Sequence, residues 1–262
     1  MAAHQDTVFS RFRLDGRTAL VTGAGGGIGE GIAFAMAEAG AKLVLVGRNP
    51  DPLETLAKRI ETAGLGQAQV RLCDVRNNEA VRGMIGALPA LDILVNNAGT
   101  NIPGPFLEVS EENFDAIMTL NTRASFFVAQ AAVKKMLEDP ARAAKGGAII
   151  NVSSQMGHVG SPNRTVYCMS KHGLEGLTKA MALELVPHRI RVNSLAPTFV
   201  ETPLVQRIVD TPEKRNFLVS RIPMGEMAQV EDVVGAAVFL ASPAAAMITG
   251  TCLLVDGGWT AQ

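Results

Sequence analysis

The 262-residue sequence predicts an α/β fold, a doubly wound parallel sheet with helices on both faces. Three observations carry that expectation. Short apolar, β-rich runs alternate with helical patterns along almost the whole chain. The runs lack polar alternation, as in Leu43-Val-Leu-Val46, which suits strands covered on both faces. A glycine-rich turn at 22–29 joins the first strand to the first helix.

The elements follow in order. Thr18–Thr22 reads as a strand, and 28–39 as a helix ended by Gly40. The next strand is 42–46, followed by a helix over 52–63. The strand series continues at 70–73, 91–95, 148–152, 190–195 and Cys252–Val255. The clearest helices between them are 122–138 and 166–186, the second closed by Pro187, which lacks an N–H. Residues 233–255 carry no charge, but Gly235, Pro243 and Gly250 interrupt them. That stretch divides into a helix at about 230–241, a loop and a strand, whereas a membrane span needs roughly 20 apolar residues in one helix. With no internal repeat, low-complexity tract or linker, residues 1–262 read as one domain. The largest region without a strand, 198–225, reads as a mobile substrate lid.

Composition narrows the function classes. Hydrophobic residues make up 47%, enough for a sizeable core, and 24 basic residues nearly cancel 25 acidic ones. Neither nucleic acid nor a membrane surface is an expected partner. Cys73, Cys168 and Cys252 lie far apart without CxxC spacing, so neither a disulfide framework nor a zinc site follows from the sequence. A reducing cytoplasm is the expected compartment, and residues 1–17 lack the apolar core of a signal peptide. The four histidines, His4, His158, His172 and His188, show no metal-ligand spacing, so no metal is expected.

The turn Thr22-Gly-Ala-Gly-Gly-Gly-Ile-Gly29 suits a dinucleotide. Glycine permits the tight bend and the close approach of backbone to a pyrophosphate, and the helix start supplies N–H groups and partial positive charge. Gly23, Gly27 and Gly29 give GxxxGxG, and no GK[ST] follows to make a triphosphate loop. After the second strand comes Val46-Gly47-Arg48-Asn49, with no carboxylate for a ribose 2′-hydroxyl. Arg48 offers a planar cation for a 2′-phosphate, which favours NADP over NAD; its plainer reading is a solvated loop cation. Asp74 either accepts from an adenine amino group or caps the helix starting near Asn77.

Tyr167 and Lys171 stand four apart in a helical stretch, so both project from one face. A phenol ionises near ~10, and an ammonium beside it pulls that value down, which equips it to exchange protons with an alcohol or carbonyl oxygen. The plainer reading of the pair is a buried Tyr and a solvated Lys. Read from the residues alone, Asn121 is an ordinary helix N-cap.

In chain order, the 22–29 turn, Asn96-Asn-Ala-Gly99, Asn121, Ser153-Ser154, and Tyr167 with Lys171 together resemble the short-chain dehydrogenase/reductase family. The resemblance spans about 14–259 and implies a Rossmann-like sheet of seven strands in the order 3-2-1-4-5-6-7, assembled as a homotetramer. It implies Tyr167 as general acid/base and Lys171 as the group that lowers its pKa and holds the nicotinamide ribose. Ser154, thirteen residues before the Tyr, would hydrogen-bond the substrate oxygen, a choice over Ser153 made on family grounds. Asn121 would hold a water in a proton relay. Cofactor contacts implied along the chain begin with Thr22, Gly23, Gly27, Ile28 and Gly29, then Arg48, Asp74 and Val75. They continue with Asn97, Ala98 and Gly99, with Tyr167 and Lys171 themselves, and with Pro197, Val200 and Thr202. Thr198 stands where the family usually has glycine.

Residues expected to border the substrate are Thr100, Asn101, Gln155, His158, Arg164 and 199–221. Arg164 hints at an acidic substrate, against the plainer reading of a surface arginine. The apolar residues of the lid, Leu204, Val205, Phe217 and Leu218 among them, are expected to form its own core. The resulting expectation is an oxidoreductase that interconverts a secondary alcohol and a ketone by hydride transfer with NADP(H). An NAD(H)-dependent alcohol or sugar-acid dehydrogenase and a non-catalytic dinucleotide-binding redox sensor stay open beside it. Cys168, next to the Tyr, reads as a small buried thiol.

Overall fold

A computed structural model describes residues 7–262, so His4 and the first part of the 1–17 segment lie outside the described residues. Seven strands form one parallel sheet: β1 Thr18–Thr22, β2 Lys42–Gly47, β3 Ala68–Leu72, β4 Ile93–Asn96, β5 Gly147–Val152, β6 Ile190–Pro197 and β7 Cys252–Val255. Their order is β3-β2-β1-β4-β5-β6-β7, as the resemblance implies. The helices are α1 Gly27–Glu38, α2 Pro50–Thr62, α3 Asn78–Gly86, α4 Glu111–Met118, α5 Ser125–Leu137 and α6 Pro140–Ala143. The C-terminal half adds α7 Thr165–Leu185, α8 Pro203–Ile208, α9 Pro212–Val219 and α10 Val230–Ala241.

Successive strand side chains point to opposite faces, and the apolar runs therefore feed two cores at once. Ala19, Val21, Leu43, Leu45, Ile93 and Val95 meet Ile32, Met36, Leu53 and Ile60 of α1 and α2 and Val233 and Leu240 of α10. Their strand neighbours Leu20, Val44, Val46 and Leu94 point the other way, onto Val81 and Ile85 of α3, Val128 and Met136 of α5 and Ala182 of α7. The strand order reverses between β1-β2-β3 and β4 onward, and the crevice outside the strand ends at that point is where such sheets bind ligands.

Two expectations need correction. The helix expected over 122–138 is in fact α5, joined to α4 by a π-helical turn at Thr119–Ala124. Asn121 lies inside that turn and caps nothing; its side chain is used elsewhere, as described below. In 198–225 the chain forms α8 and α9 without burying a residue of either. Val205 and Leu218 do pack against Phe199, Ile222 and Met227, but Leu204 stays 46% exposed and Phe217 53%. The apolar residues of 198–225 therefore form only part of a core. The charge-free stretch resolves into α10, a 3-10 turn and β7, and among the described residues no helix is long and apolar enough to cross a membrane.

Candidate active site

The ends of β1, β4, β5 and β6 open into a cleft of ≈ 710 Å³. At one end lies the glycine turn. Gly23 adopts φ +65°, and Gly29 packs so closely that an added Cβ would stand 2.3 Å from the Asn97 side chain and from the Gly23 carbonyl. Asn97 ties this turn to β4, donating its Nδ2 to Thr22 O at 2.9 Å and Gly23 O at 3.2 Å. The Thr22 hydroxyl accepts from the backbone of Asn97 and Ala98, each at 3.0 Å. Thr22 is buried beneath the turn and does not line the cleft, so it supports the turn instead of facing a ligand.

Arg48 lines the same end, exposed and without an ion pair among the described residues. Asp74 also lines it, but Asn77 is the cap of α3, accepting from Glu79 and Ala80. Of the two readings of Asp74, the cap is thus excluded. Its carboxylate pairs with Arg76 at 2.6 Å, and hydrogen bonds from that guanidinium hold it below the usual carboxylate range. Arg76 lines the cleft too, a second cation that the sequence reading missed because a lone loop arginine has no pattern. The residues present fit NADP: a helix N-terminus at Gly27, open space at Gly26 where a side chain would stand, and an unpaired guanidinium at Arg48.

At the other end Ser154, Tyr167 and Lys171 come together. Ser154 follows β5, while Tyr167 and Lys171 sit one turn apart near the start of α7. Lys171 is 6% exposed and donates its Nζ to Val152 O at 2.8 Å. Burial pulls its ammonium down to about 8, with Glu175 opposing. Burial also pushes Tyr167 up to about 12, outweighing the hydrogen bond with Ser154 and the Arg164 cation. The expected lowering by Lys171 is not met: its Nζ lies over the ring, 5.5 Å from the centroid, and is fastened to the Val152 carbonyl. Tyr167 in this state is a neutral phenol, a proton donor at neutral pH.

Asn121 does not line the cleft, yet it fixes its wall. Its Oδ1 accepts from Thr100 N at 2.8 Å, and its Nδ2 donates to Thr100 O at 2.9 Å and to Ser170 Oγ at 3.1 Å. The π turn brings the amide to both α7 and the loop residue Thr100, just after Gly99. Every other residue expected at the cofactor or in catalysis lines the cleft, including Ile28, Val75, Gly99, Pro197, Val200 and Thr202. Thr198 does as well, and it is not among the described non-glycine residues with positive φ, so this loop does not need glycine there.

The substrate border is less well foreseen. Thr100, Asn101 and Gln155 line the cleft, as do Phe199, Leu204, Val205, Arg207 and Ile208. His158 and Arg164 do not. His158 turns to Cys252, and Arg164 donates to its own neighbour, Asn163 O, at 3.2 Å. The acidic-substrate hint therefore loses its residue. In exchange, Asn101 Oδ1 and Thr198 Oγ1 are buried polar atoms of the cleft with no hydrogen-bond partner.

The family model described as Enoyl-(Acyl carrier protein) reductase matches residues 23–260. L-xylulose reductase of Bos taurus is 43% identical over 249 residues, 95% of this chain and 98% of that protein. D-threitol dehydrogenase of Mycolicibacterium smegmatis is 40% identical over 253 residues, 95% of each chain. A gluconate 5-dehydrogenase from Burkholderia cenocepacia J2315, solved in complex with NADP and tartrate, superposes with a TM-score of 0.91 at 38% identity, covering 98% of this chain and 100% of that one. With the sheet order, the glycine turn and the Ser154, Tyr167 and Lys171 constellation already in place, these likenesses show that the chain belongs to the short-chain dehydrogenase/reductase family, NAD(P)-dependent oxidoreductases that interconvert CH–OH and C=O groups.

Proposed function

We propose that the protein reduces the ketone of a short polyhydroxylated carbon chain with NADPH, and runs the reverse oxidation of the alcohol. The observation that carries this reading is a single cleft with Arg48 at one end and Ser154 and Tyr167 at the other. When bound, the nicotinamide supplies the hydride, and the protein supplies orientation and a proton. Gly23, Gly27 and Gly29 seat the pyrophosphate against the start of α1, Arg48 takes the 2′-phosphate, and Lys171 holds the nicotinamide ribose. Ser154 and Tyr167 grip one carbonyl oxygen from two sides, and Tyr167 delivers its phenolic proton as charge develops there. Asn121 acts through Thr100 and Ser170 to position this wall, and holds a relay water by the family's precedent.

The substrate class rests on the orphaned Asn101 Oδ1 and Thr198 Oγ1 beside Gln155, which call for hydroxyl donors in the cleft. Relatives named for xylulose, threitol and gluconate point to the same kind of molecule. Residues 1–262 act as one dinucleotide-binding and catalytic domain, 198–225 as its substrate lid, and the enzyme as a cytoplasmic homotetramer.

The test is NADPH consumption against a panel of ketoses. Tyr167→Phe should keep NADPH binding and lose about 10²–10⁴-fold in turnover. Undiminished turnover would overturn the assignment, and a dinucleotide-binding protein silent toward every ketone and alcohol would favour the redox sensor. Arg48→Glu should weaken NADPH by about tenfold to a hundredfold, the worth of one or two charge-assisted hydrogen bonds, and leave NADH nearly unchanged. Equal loss for both cofactors would remove Arg48 from the 2′-phosphate.

A further inference from the structure

Glu175 lies one turn beyond Lys171 on α7 and is 6% exposed. Its Oε2 accepts from Ser194 Oγ at 2.6 Å, while its Oε1 has no hydrogen-bond partner. A buried carboxylate oxygen without a donor asks for a cation. Two side chains converge on it. His158, from the turn after β5, places Nε2 at 3.7 Å from Glu175 Oε1 and 3.1 Å from Cys252 Sγ, the first residue of β7. Among the described residues these three ligand atoms all lie within 4.8 Å of one another.

The 3.7 Å between His158 and Glu175 matches a shared ion, and the 3.1 Å between His158 and Cys252 has to open by a few tenths of an ångström to admit one. Bonds of roughly 2.0–2.3 Å in a tetrahedral zinc centre put neighbouring ligand atoms about 3.3–3.8 Å apart. Imidazole, thiolate and carboxylate are the zinc donor types, and Ser194 supplies the outer hydrogen bond that orients the carboxylate. His158 Nε2 meets the sulfur and stays 3.7 Å from Oε1, too far to donate a hydrogen bond to it. The His158 side chain is 30% exposed, so an ion has a route in from solvent.

We propose that His158, Glu175 and Cys252 form a binding site for a zinc-class divalent cation, with water as the fourth ligand. On binding, the Cys252 thiol gives its proton to solvent, and thiolate and carboxylate balance the two positive charges. None of the three residues lines the cleft. The site ties the turn that begins at Ser154 to the helix that carries Tyr167 and Lys171, so its effect is on their placement.

Metal-stripped protein titrated with Co²⁺ should bind one ion per chain and develop thiolate-to-cobalt absorption in the near ultraviolet, which Zn²⁺ then abolishes. Cys252→Ser should lose the band, while Cys168→Ser keeps it. Loss of an outer-shell partner already weakens metal sites ~10–100-fold, so His158→Ala, a change near the surface, should weaken Zn²⁺ by at least ~10-fold. Zn²⁺ should raise the Tm of the wild type and not of His158→Ala. Absence of saturable one-to-one binding, a Co²⁺ complex without the thiolate band, or a band surviving in Cys252→Ser would each overturn the proposal.

Discussion

The rim built by the ends of β1, β4 and β5 and the segment 198–225 face each other across one cleft, yet they are held by different forces. In the rim, buried polar groups lock to one another. Asn96 donates to Asn151 at 3.2 Å and to Ser125 O at 3.0 Å, and Asn151 donates to Thr178 Oγ1 at 2.8 Å. With the Thr22–Asn97 bonds these fix the turn and the catalytic wall before any ligand arrives. In 198–225 the helices bury none of their residues. Thr202 and Thr211 cap them, Val205 and Leu218 pack against Phe199, Ile222 and Met227, and surface pairs such as Lys214–Asp210, at 2.6 Å, lie outside. Exposed pairs of that kind contribute little. A satisfied buried network resists any change of shape, whereas helices that bury no residue of their own are free to shift at lower cost. One side of the cleft is held by locked polar groups and the other by looser packing.

The contrast is open to attack, most forcefully at Gly29. Because an added Cβ meets the Asn97 side chain and the Gly23 carbonyl at 2.3 Å, Gly29→Ala should abolish NADPH binding and cost about 1–3 kcal/mol of stability. Calorimetric titration showing unchanged NADPH affinity would mean that the rim yields as readily as 198–225.

A second probe is Lys171. Its folded-state value of about 8 lies below the ordinary lysine near ~10.4, so between those values the native protein binds fewer protons than the unfolded chain. Stability contributed by this group accordingly rises with pH through that window. The opposite loss from Tyr167, raised to about 12, begins only above its ordinary value near ~10. Denaturant unfolding of wild type and Lys171→Met should show the wild type gaining on the order of 2–3 kcal/mol relative to the variant between pH 7.5 and 10. A constant difference would show that the wall does not hold its lysine dry.

The smallest effect is expected at Phe217, 53% exposed on α9, where Phe217→Ser should change stability by no more than about 0.5 kcal/mol. A drop of several degrees in Tm would make 198–225 as tightly packed as the rim.

The strands, the helices and the glycine turn were legible because each has local grammar: strand length, glycine where backbone crowds, spacing along a helix; the sheet order and most of the cleft-lining residues came from the family resemblance. What escaped depends on depth and distance. Whether Lys171 or burial governs Tyr167 is decided by how far the phenol is removed from water, which a four-residue spacing does not encode. His158 and Arg164 are near the catalytic residues in sequence, but their side chains leave the cleft, His158 for Cys252 on β7 and Arg164 for the carbonyl of its neighbour Asn163. Arg76 shows the reverse, a residue without a pattern that the topology delivers to the site. The resemblance named Asn121 as part of the site, whereas the residues alone read it as a cap.

The π turn at Thr119–Ala124 holds one residue more per turn than the helices on either side. It thus acts as a phase shifter: each residue advances an α-helix by about 100°, so the extra one rotates α5 relative to α4. Without that offset, Asn121 could not reach Thr100 and Ser170 while α5 still turned Val128 and Met136 toward the sheet. An insertion or deletion of a single residue there would put the two ends of one long helix out of step. The reading frame of the helix is itself part of the catalytic wall.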